Sequence, residues 1–407
     1  MIMIPSLAYT DRYYNEGTRT YSNHAEYTEA DLQYRPNSPQ EFFQLQSLII
    51  PRGQVNIYTA NPTHELLSQY ILKESVLFCI HPQVLQLFQN DPYILKMQET
   101  GKSAGEITVA PSSSTRTLYV FDRGELSHAL KVHFPFRISR YGRKMRDEVI
   151  EQAINISLEL ENGINHLDSR FSFLREVIGV SHKNMDDTLS RKENWGYLVR
   201  DMQPFPAVLE QRILLPGFAL YGSNLFDPEK PPLLYELIGD HDPLTFILES
   251  IMFPIVRQWI DCFLHFGYML EPHGQNILFE LDTSGAIQRI VHRDLSVGID
   301  MRRRSDIGLA HDNLNMYNRM ESWEFNSITY DMFMGSHFFD FIVACCCKKY
   351  PHLSRKDFRE PCCELFSDAF PDYKDYFPAT VYYFSEKRDQ FNKPLYKNTG
   401  SKPCWRP

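Results

Sequence analysis

The stretch "EPHGQNILFELDTSGAIQRIVHRD", Glu271 to Asp294, decides how the rest of the chain is read. "NILFEL" reads as a strand, Asp282-Thr283-Ser284-Gly285 supplies a turn, and "AIQRIVHR" returns as a second strand. A two-stranded hairpin brings its ends together, so His273, Asn276 and Asp294 are expected to converge. An imidazole, an amide and a carboxylate at one point suit a hydrated Mg2+ carrying nucleotide phosphates. A hydrogen-bonded turn without a ligand is the bland alternative.

Working outward, His292-Arg293-Asp294-Leu295 spells a protein-kinase catalytic loop, and Asp306-Ile307-Gly308 follows like a metal-binding loop. The kinase reading fails on its own terms. The Asn expected five residues after the catalytic Asp is Ile299, and neither a Gly-rich loop nor a Val-Ala-Ile-Lys strand lies upstream. His292 is read as a strand residue and Asp306 as a turn or helix-cap residue. What survives is a looser, distantly kinase-like nucleotide site.

Composition bounds the rest. The chain has 407 residues, 43% hydrophobic and 14% aromatic, enough for two or three packed subdomains. A net charge of −9 argues against a general nucleic-acid partner, although "HFPFRISRYGRKMR" and "DMRRRSD" are local basic clusters that could hold phosphates. The longest apolar run, "FFDFIVACCC", is too short to span a bilayer, so no membrane partner and a cytoplasmic location are expected. Eight cysteines, five of them in "ACCCKKY" and "EPCCELF", form neither a secreted disulfide framework nor a trusted cluster spacing, and no iron is expected.

Residues 1–75 are weakly periodic, with a strand candidate at "QVNIYTA". "RTLYVFDRGELSHALKVHFPFRIS" reads as a hairpin about Asp122-Arg123-Gly124. Helical patterns are read in "RDEVIEQAINISLELENGI", "FSFLREVIGV", "PLLYELI" and "LTFILESIMFPIVRQWIDCFLHFGYML", the last divided or kinked at Pro254. "WGYLVRDM" reads as a strand, the C-terminal third as helical, and "KRDQFNKPLYKNTGSKPCWRP" as a basic loop. The class is α+β: a mixed hairpin and antiparallel-sheet palm with helical subdomains.

These residues resemble the IucA/IucC-type siderophore synthetases that work independently of non-ribosomal peptide synthetases. Members carry Glu-x-His-x-Gln-Asn, a hairpin, then Arg-Asp; here these are Glu271, His273, Gln275, Asn276, Arg293 and Asp294. Upstream, "SSSTRT" supplies Ser114, Arg116 and Thr117, and "KVHFPFRISRYGR" supplies Lys131, Ser139 and Arg143. "IHPQ" at His81, "NGINHLD", "FSFLREVIGV" and "WGYLVRDM" follow in family order, so the resemblance runs from about residue 76 to the tail. It implies a siderophore-synthetase-like fold in three parts. These are a shortened N-terminal region over 1–75, a nucleotide-binding, fingers-like part over 76–240, and a palm with helical, FhuF-like C-terminal part over 241–407.

The resemblance also implies ATP and Mg2+, with the acid adenylated and pyrophosphate released before an amine or alcohol attacks. On that reading Ser114, Arg116, Thr117, Lys131, Ser139, Arg143, His273 and Asn276 bind nucleotide. Glu271, Asn276 and Asp294 hold the metal, and His273, Arg143 and Asp294 act in catalysis. Fixed cations and Mg2+ would stabilise charge on the phosphates. Taken alone, Lys131 and Arg143 are the sort of charges found solvated, Ser114 could cap a turn, and His81 reads as a core or loop histidine. The partners implied are a carboxylic acid such as citrate, an amine or alcohol, and a homodimer mate or partner synthetase.

The family's Gly-His-Pro-x-x-His-Pro-x-x-Lys-like segment has no counterpart in residues 1–75, so the acid-binding half is expected to be shortened or rebuilt. Lys393, Lys397 or Lys402 of the tail are weak candidates for an anionic substrate. Two other functions fit the same residues: a small-molecule phosphotransferase and a catalytically silent nucleotide-binding partner subunit.

Overall fold

The computed structural model describes residues 5–15, 28–87, 89–90, 92–100, 102–138, 141–183, 195–309, 312–388 and 394–407. The first helix is α1 (Leu7–Tyr13), followed by β1 (Phe43–Pro51), β2 (Val55–Thr59), α2 (His64–Tyr70), β3 (Ser75–Ile80), α3 (Pro82–Leu87) and α4 (Pro92–Thr100). Strand β4 (Lys102–Pro111) precedes two hairpins, β5 (Thr117–Asp122) with β6 (Glu125–Val132) and β7 (Phe134–Ile138) with β8 (Tyr141–Arg143). Helix α5 (Asp147–Asn162) leads to β9 (Phe171–His182), β10 (Gly196–Phe205) and β11 (Ile213–Pro216).

Helices α6 (Leu233–Ile238), α7 (Pro243–Ile247) and α8 (Phe253–Phe266) come before β12 (Tyr268–Met269) and the hairpin of β13 (Ile277–Leu281) and β14 (Ile287–His292). Then follow β15 (Gly298–Asp300), α9 (Met301–Asp306), β16 (Arg319–Met320), α10 (Glu324–Ser327), α11 (Asp340–Lys349), α12 (Arg355–Ala369), β17 (Tyr382–Arg388) and β18 (Pro394–Asn398). Helices and a largely antiparallel sheet are segregated along the chain, the α+β class expected.

One 11-stranded sheet runs in the order β11-β13-β14-β9-β10-β6-β5-β4-β1-β3, with β2 also on β9. Its pairs are antiparallel except β14 on β9, which are parallel over Ile290–His292 against Phe171–Phe173. The β13–β14 hairpin is therefore fastened through β9 near one end of the sheet. The Arg123 and Gly124 turn of β5–β6 takes positive φ at both positions (50° and 86°), the geometry that two-residue hairpins favour.

Three sequence expectations differ from the structure. "FSFLREVIGV" is not helical but forms β9, buried at all but one of its twelve positions. A strand covered on both faces loses apolar alternation, and its continuous run imitates a buried helix. The tail is not a loop: Tyr382–Arg388 and Pro394–Asn398 pair as a hairpin, and Trp405 and Arg406 are buried beyond it. Residues 1–75 hold more than one strand, because β1 pairs with both β3 and β4. The sheet thus continues across residue 75 without a break.

Among the described residues the two largest hydrophobic clusters pack against the sheet. Leu45, Phe78, Val109, Leu130, Val180 and Trp195 fill one. The larger one gathers α8, α11 and α12 around Trp259, Phe263, Phe366 and Phe377, beneath the β11–β13–β14 end. A π-helical turn over Leu248–Met252 runs into α8 just before Pro254, the division expected there. Gly179 lets α5 lie on the sheet, since a Cβ there would stand 2.4 Å from Ile150 Cγ2. Among the described residues no helix is long and apolar enough to cross a membrane.

Candidate active site

The β13–β14 register sets the site. Ile277 faces His292, so Asn276 and Arg293 are the next opposed pair, and the Arg293 amide donates to the Asn276 carbonyl at 2.9 Å. Before the hairpin the chain coils tightly: the His273 amide donates to Glu271 O at 2.9 Å and the Asn276 amide to His273 O at 2.9 Å. Glycine is required at 274, where a Cβ would lie 2.6 Å from the Tyr221 hydroxyl and 2.9 Å from Phe218 N. His273 is buried and accepts from the Gln275 amide through Nδ1 at 3.3 Å. Burial first, then the neighbouring His337 and His292, hold its imidazole well below the usual range, so it is neutral at pH 7.

Asp294 takes a left-handed backbone, φ 79°, uncommon for a residue with a Cβ. That turn brings its carboxylate to Lys131 on β6. Lys131 Nζ donates to Asp294 Oδ1 at 2.6 Å and to Ser296 Oγ at 3.3 Å, and the Ser296 amide also donates to Oδ1 at 3.2 Å. Lys131 is 1% exposed and Asp294 30%. Among the described residues nothing donates to Oδ2, which leaves that oxygen for a ligand.

The sheet lines up more charge behind this pair. Thr117 lies opposite Lys131 on β5, and Arg200 on β10 lies opposite Ala129, two residues along β6 from Lys131. Arg200 is itself paired with Glu176 of β9 at 2.6 Å, both buried. Burial alone would raise the Asp294 carboxyl, but Lys131, Arg200 and Arg116 pull it well below the usual carboxylate range. Burial likewise lowers Lys131 and Arg116, partly offset by Asp294. Lys131, Arg116 and Arg200 thus converge on the Asp294 carboxylate and form a basic wall.

The other expected site residues divide by location. Ser114 Oγ accepts from the Thr117 amide at 3.2 Å and meets Ser112 Oγ at 2.9 Å, forming a turn in which Thr115 also has positive φ (65°). Arg116 extends from that turn to Met145 Sδ at 3.2 Å and into the field of Asp294. Arg143 ends β8 opposite Phe134, but its side chain, like Ser139 and Lys393, lies outside the described residues. Glu271 is half-buried, and both Glu271 and Arg116 act on the Tyr317 phenol.

Several groups lie elsewhere. His81 is caged by Tyr34, Phe43 and Phe134, and burial pushes it down to about 3, as befits a core histidine. Asp306 ends α9 and accepts from the Tyr376 hydroxyl at 2.6 Å, a structural contact. Lys397 and Lys402 are solvent-exposed. Cys346 and Cys362 are buried on α11 and α12, all eight cysteines are free thiols, and burial pushes Cys346 up to about 12. Among the described residues no three His, Cys, Asp or Glu side chains gather to hold a metal.

Sequence reasoning missed Arg200, Glu176, Tyr317 and Asp11. The first two sit inside "WGYLVRDM" and "FSFLREVIGV", where ionisable residues within largely apolar runs were the available signal. Asp11 has no such signal. It becomes visible once the fold brings α1 to Arg293, whose Nη2 donates to Asp11 Oδ1.

The chain has counterparts among known proteins. Residues 26–221 match the IucA / IucC family. The N-terminal half of the chain is thus similar to that family. The match begins at residue 26, well before residue 76, in agreement with β1 and β2 being part of the sheet. Residues 254–356 match the ferric iron reductase FhuF-like transporter family. No curated protein matches in sequence.

In fold the chain is similar to the petrobactin biosynthesis protein AsbB from Bacillus anthracis str. Sterne, with TM-score 0.71 and 16% identity over 95% of this chain and 72% of that one. It is also similar to aerobactin synthetase IucC from a hypervirulent pathotype of Klebsiella pneumoniae, with TM-score 0.68 and 14% identity over 88% and 68% of the two chains. The ATP-bound aerobactin synthetase IucA of the same source matches with TM-score 0.64 and 14% identity over 89% and 70%.

Proposed function

We propose that this protein is a member of the IucA / IucC family and an ATP-dependent ligase of siderophore-type biosynthesis. It would adenylate a carboxylic acid, citrate or another polycarboxylate, and join it to an amine or alcohol, releasing pyrophosphate and then AMP. The observation that carries this reading is the contact between the hairpin end and the basic wall: Lys131 Nζ to Asp294 Oδ1 at 2.6 Å, with Arg116 and Arg200 acting on the same carboxylate. The fold likeness to a synthetase described as ATP-bound supports the choice of nucleotide.

The residues present fit a triphosphate. Lys131 and Arg116 supply positive charge in a low-dielectric setting, where it stabilises developing phosphate charge more than it would in water. Ser114, Thr117, Ser139 and Arg143 are assigned to the same phosphates. Mg2+ is assigned to the same site in its usual role with nucleotides, held by few protein ligands and several waters. Asp294 Oδ2 and the Asn276 amide, with Glu271 through water, would hold it, and bound Mg2+ would neutralise phosphate charge. His273 is neutral and buried and adds no charge, and with Nδ1 accepting from the Gln275 amide its Nε2 carries the proton. A cytoplasmic location and a homodimer or partner synthetase belong to the same proposal.

The chemistry balances in two steps. A carboxylate oxygen of the acid bonds to the α-phosphorus as the bridge to the β-phosphate breaks. The amine or hydroxyl then bonds to the acyl carbon, loses its proton to solvent or a base, and AMP departs. Acid-dependent exchange of labelled pyrophosphate into ATP tests the first step, screened over citrate, succinate and 2-oxoglutarate. Release of ADP would instead mark a phosphotransferase, and ATP binding without turnover a silent partner subunit.

A further inference from the structure

We propose that Asp11 is a positioning residue for this site, acting through Arg293 on the hairpin ends that carry Asn276 and Asp294. The inference rests on the proposed nucleotide reaction for its MgATP-binding arm, and on hydrogen bonding alone for the rest. Asp11 lies outside both family matches, which cover residues 26–221 and 254–356.

The geometry is closed. Asp11 is 0% exposed, and its Oδ1 accepts from Arg293 Nη2 and from Ser113 Oγ at 3.0 Å. Its Oδ2 accepts from the Ser113 amide at 2.8 Å and from the Tyr119 hydroxyl at 3.0 Å. Both oxygens are therefore occupied by the protein, so Asp11 has nothing left for a substrate. Arg293 is equally committed: Nε donates to Gln275 O at 2.6 Å and Nη1 to the Tyr119 hydroxyl at 2.9 Å. Gln275 closes the ring by donating from Nε2 to Ser113 Oγ at 3.1 Å.

The anchors belong to different pieces of the site. Ser113 begins the turn that presents Ser114 and Arg116, Gln275 precedes Asn276, and Arg293 precedes Asp294. A single buried carboxylate thus fixes three loops whose next residues meet the ligand. Arg293 needs that anion, because a buried guanidinium without a partner is strongly disfavoured. A positioning carboxylate explains why α1, a short helix remote in sequence, is packed against the site strands.

The test uses the full chain and the variants D11N and D11E. Hydrogen exchange reads the Arg293 and Ser296 amides, which donate to Asn276 O and to Asp294 Oδ1. Exchange there should quicken about tenfold in D11N, while amides of β1 keep their protection. Calorimetric titration with MgATP should show affinity weakened threefold or more, with D11E recovering most of it. Protection at both amides equal to the parent's, or MgATP affinity within threefold when the parent binds MgATP, overturns the proposal. A parent that fails to bind MgATP overturns the proposed reaction instead, and the exchange result alone then decides the role of Asp11. If D11N does not fold, D11N/R293Q leaves no buried unpaired charge and takes its place: faster exchange and weaker MgATP binding support the proposal, and parental values overturn it.

Discussion

Two buried aspartate–arginine pairs tie distant parts of this chain together, and they differ in what surrounds them. Asp11 meets Arg293 between α1 and the end of β14. Asp331 meets Arg406 between the helical core and the segment after β18, with Nε and Nη2 each 3.0 Å from a carboxylate oxygen. Both pairs are at most 5% exposed. Around Arg406 the neighbours are structural: Pro378 O accepts at 2.8 Å, the Phe377 ring lies 4.6 Å away, and Ser327 Oγ donates to Asp331 at 2.7 Å. Around Arg293 the neighbours are Ser113, Tyr119 and Gln275, each in or next to the basic wall. Burial and pairing do not distinguish a working site from a staple; the identity of the adjoining residues does.

The largest expected effect lies at Asp294. D294N removes the carboxylate that Lys131, Arg116 and Arg200 share and the proposed metal ligand together. Pyrophosphate exchange is expected to fall at least about 10³-fold. The fold should survive at reduced stability, measured by thermal unfolding. Near-parental exchange in this variant would remove the central residue from the proposed site.

The next effect belongs to the other tie. R406Q leaves Asp331 buried without its cation, and breaking such a pair costs about 3–5 kcal/mol. Burial already pushes Asp331 upward against the pull of Arg406, so the carboxylate is expected to take up a proton in the variant. Denaturant midpoints should fall accordingly, whereas MgATP affinity of the folded protein should stay within twofold. A tenfold loss of affinity would show that the two ties are not functionally distinct.

How much of this is legible in the sequence follows from what each residue needs. The β13–β14 hairpin and the β5–β6 turn are written in local alternation and in turn residues, and both stand where the sequence puts them. Lys131 beside Asp294 can be anticipated because the hairpin ends and a lysine strand are both visible in the motifs. Strand β9 cannot be read correctly, since burial on both faces erases the period that separates strand from helix. The tail hairpin is hidden by its polar composition, and its Trp405 is held by a contact that no local pattern encodes, an indole N–H donating to Asp340 Oδ1 at 3.0 Å. Asp11 is illegible for the same reason: its partner lies 282 positions away.

A smaller effect separates the sheet from the Arg406 region by pH. Burial lowers His81 to about 3 and His128, His182 and His292 to about 4. An unfolded histidine takes its proton near pH 6.5 while these stay neutral in the fold, so stability is complete above that pH and drains away as pH falls toward 4. Each histidine contributes up to about 1.4 kcal/mol per pH unit across that window. H81F should fill the cage of Tyr34, Phe43 and Phe134 and lose about 2 kcal/mol less than the parent between pH 6.5 and 5. Equal pH slopes for parent and variant, by urea unfolding, would mean that His81 is already charged in the fold.

The smallest contrast sets a basic residue of the wall against one on the surface. Arg116 belongs to the field around Asp294, and R116A should weaken MgATP binding about tenfold, the scale of one charge-assisted contact. Lys356 on α12 is 71% exposed and forms a helical i,i+4 pair with Glu360 at 3.5 Å. Such a pair contributes about 0.3–0.5 kcal/mol, so K356A should leave both affinity and midpoint nearly unchanged. The two variants each remove one positive charge, which holds the long-range electrostatic change constant between them. Equal affinities would therefore mean that the wall attracts nucleotide only through net charge, and that the alignment of β5, β6 and the hairpin end contributes nothing specific.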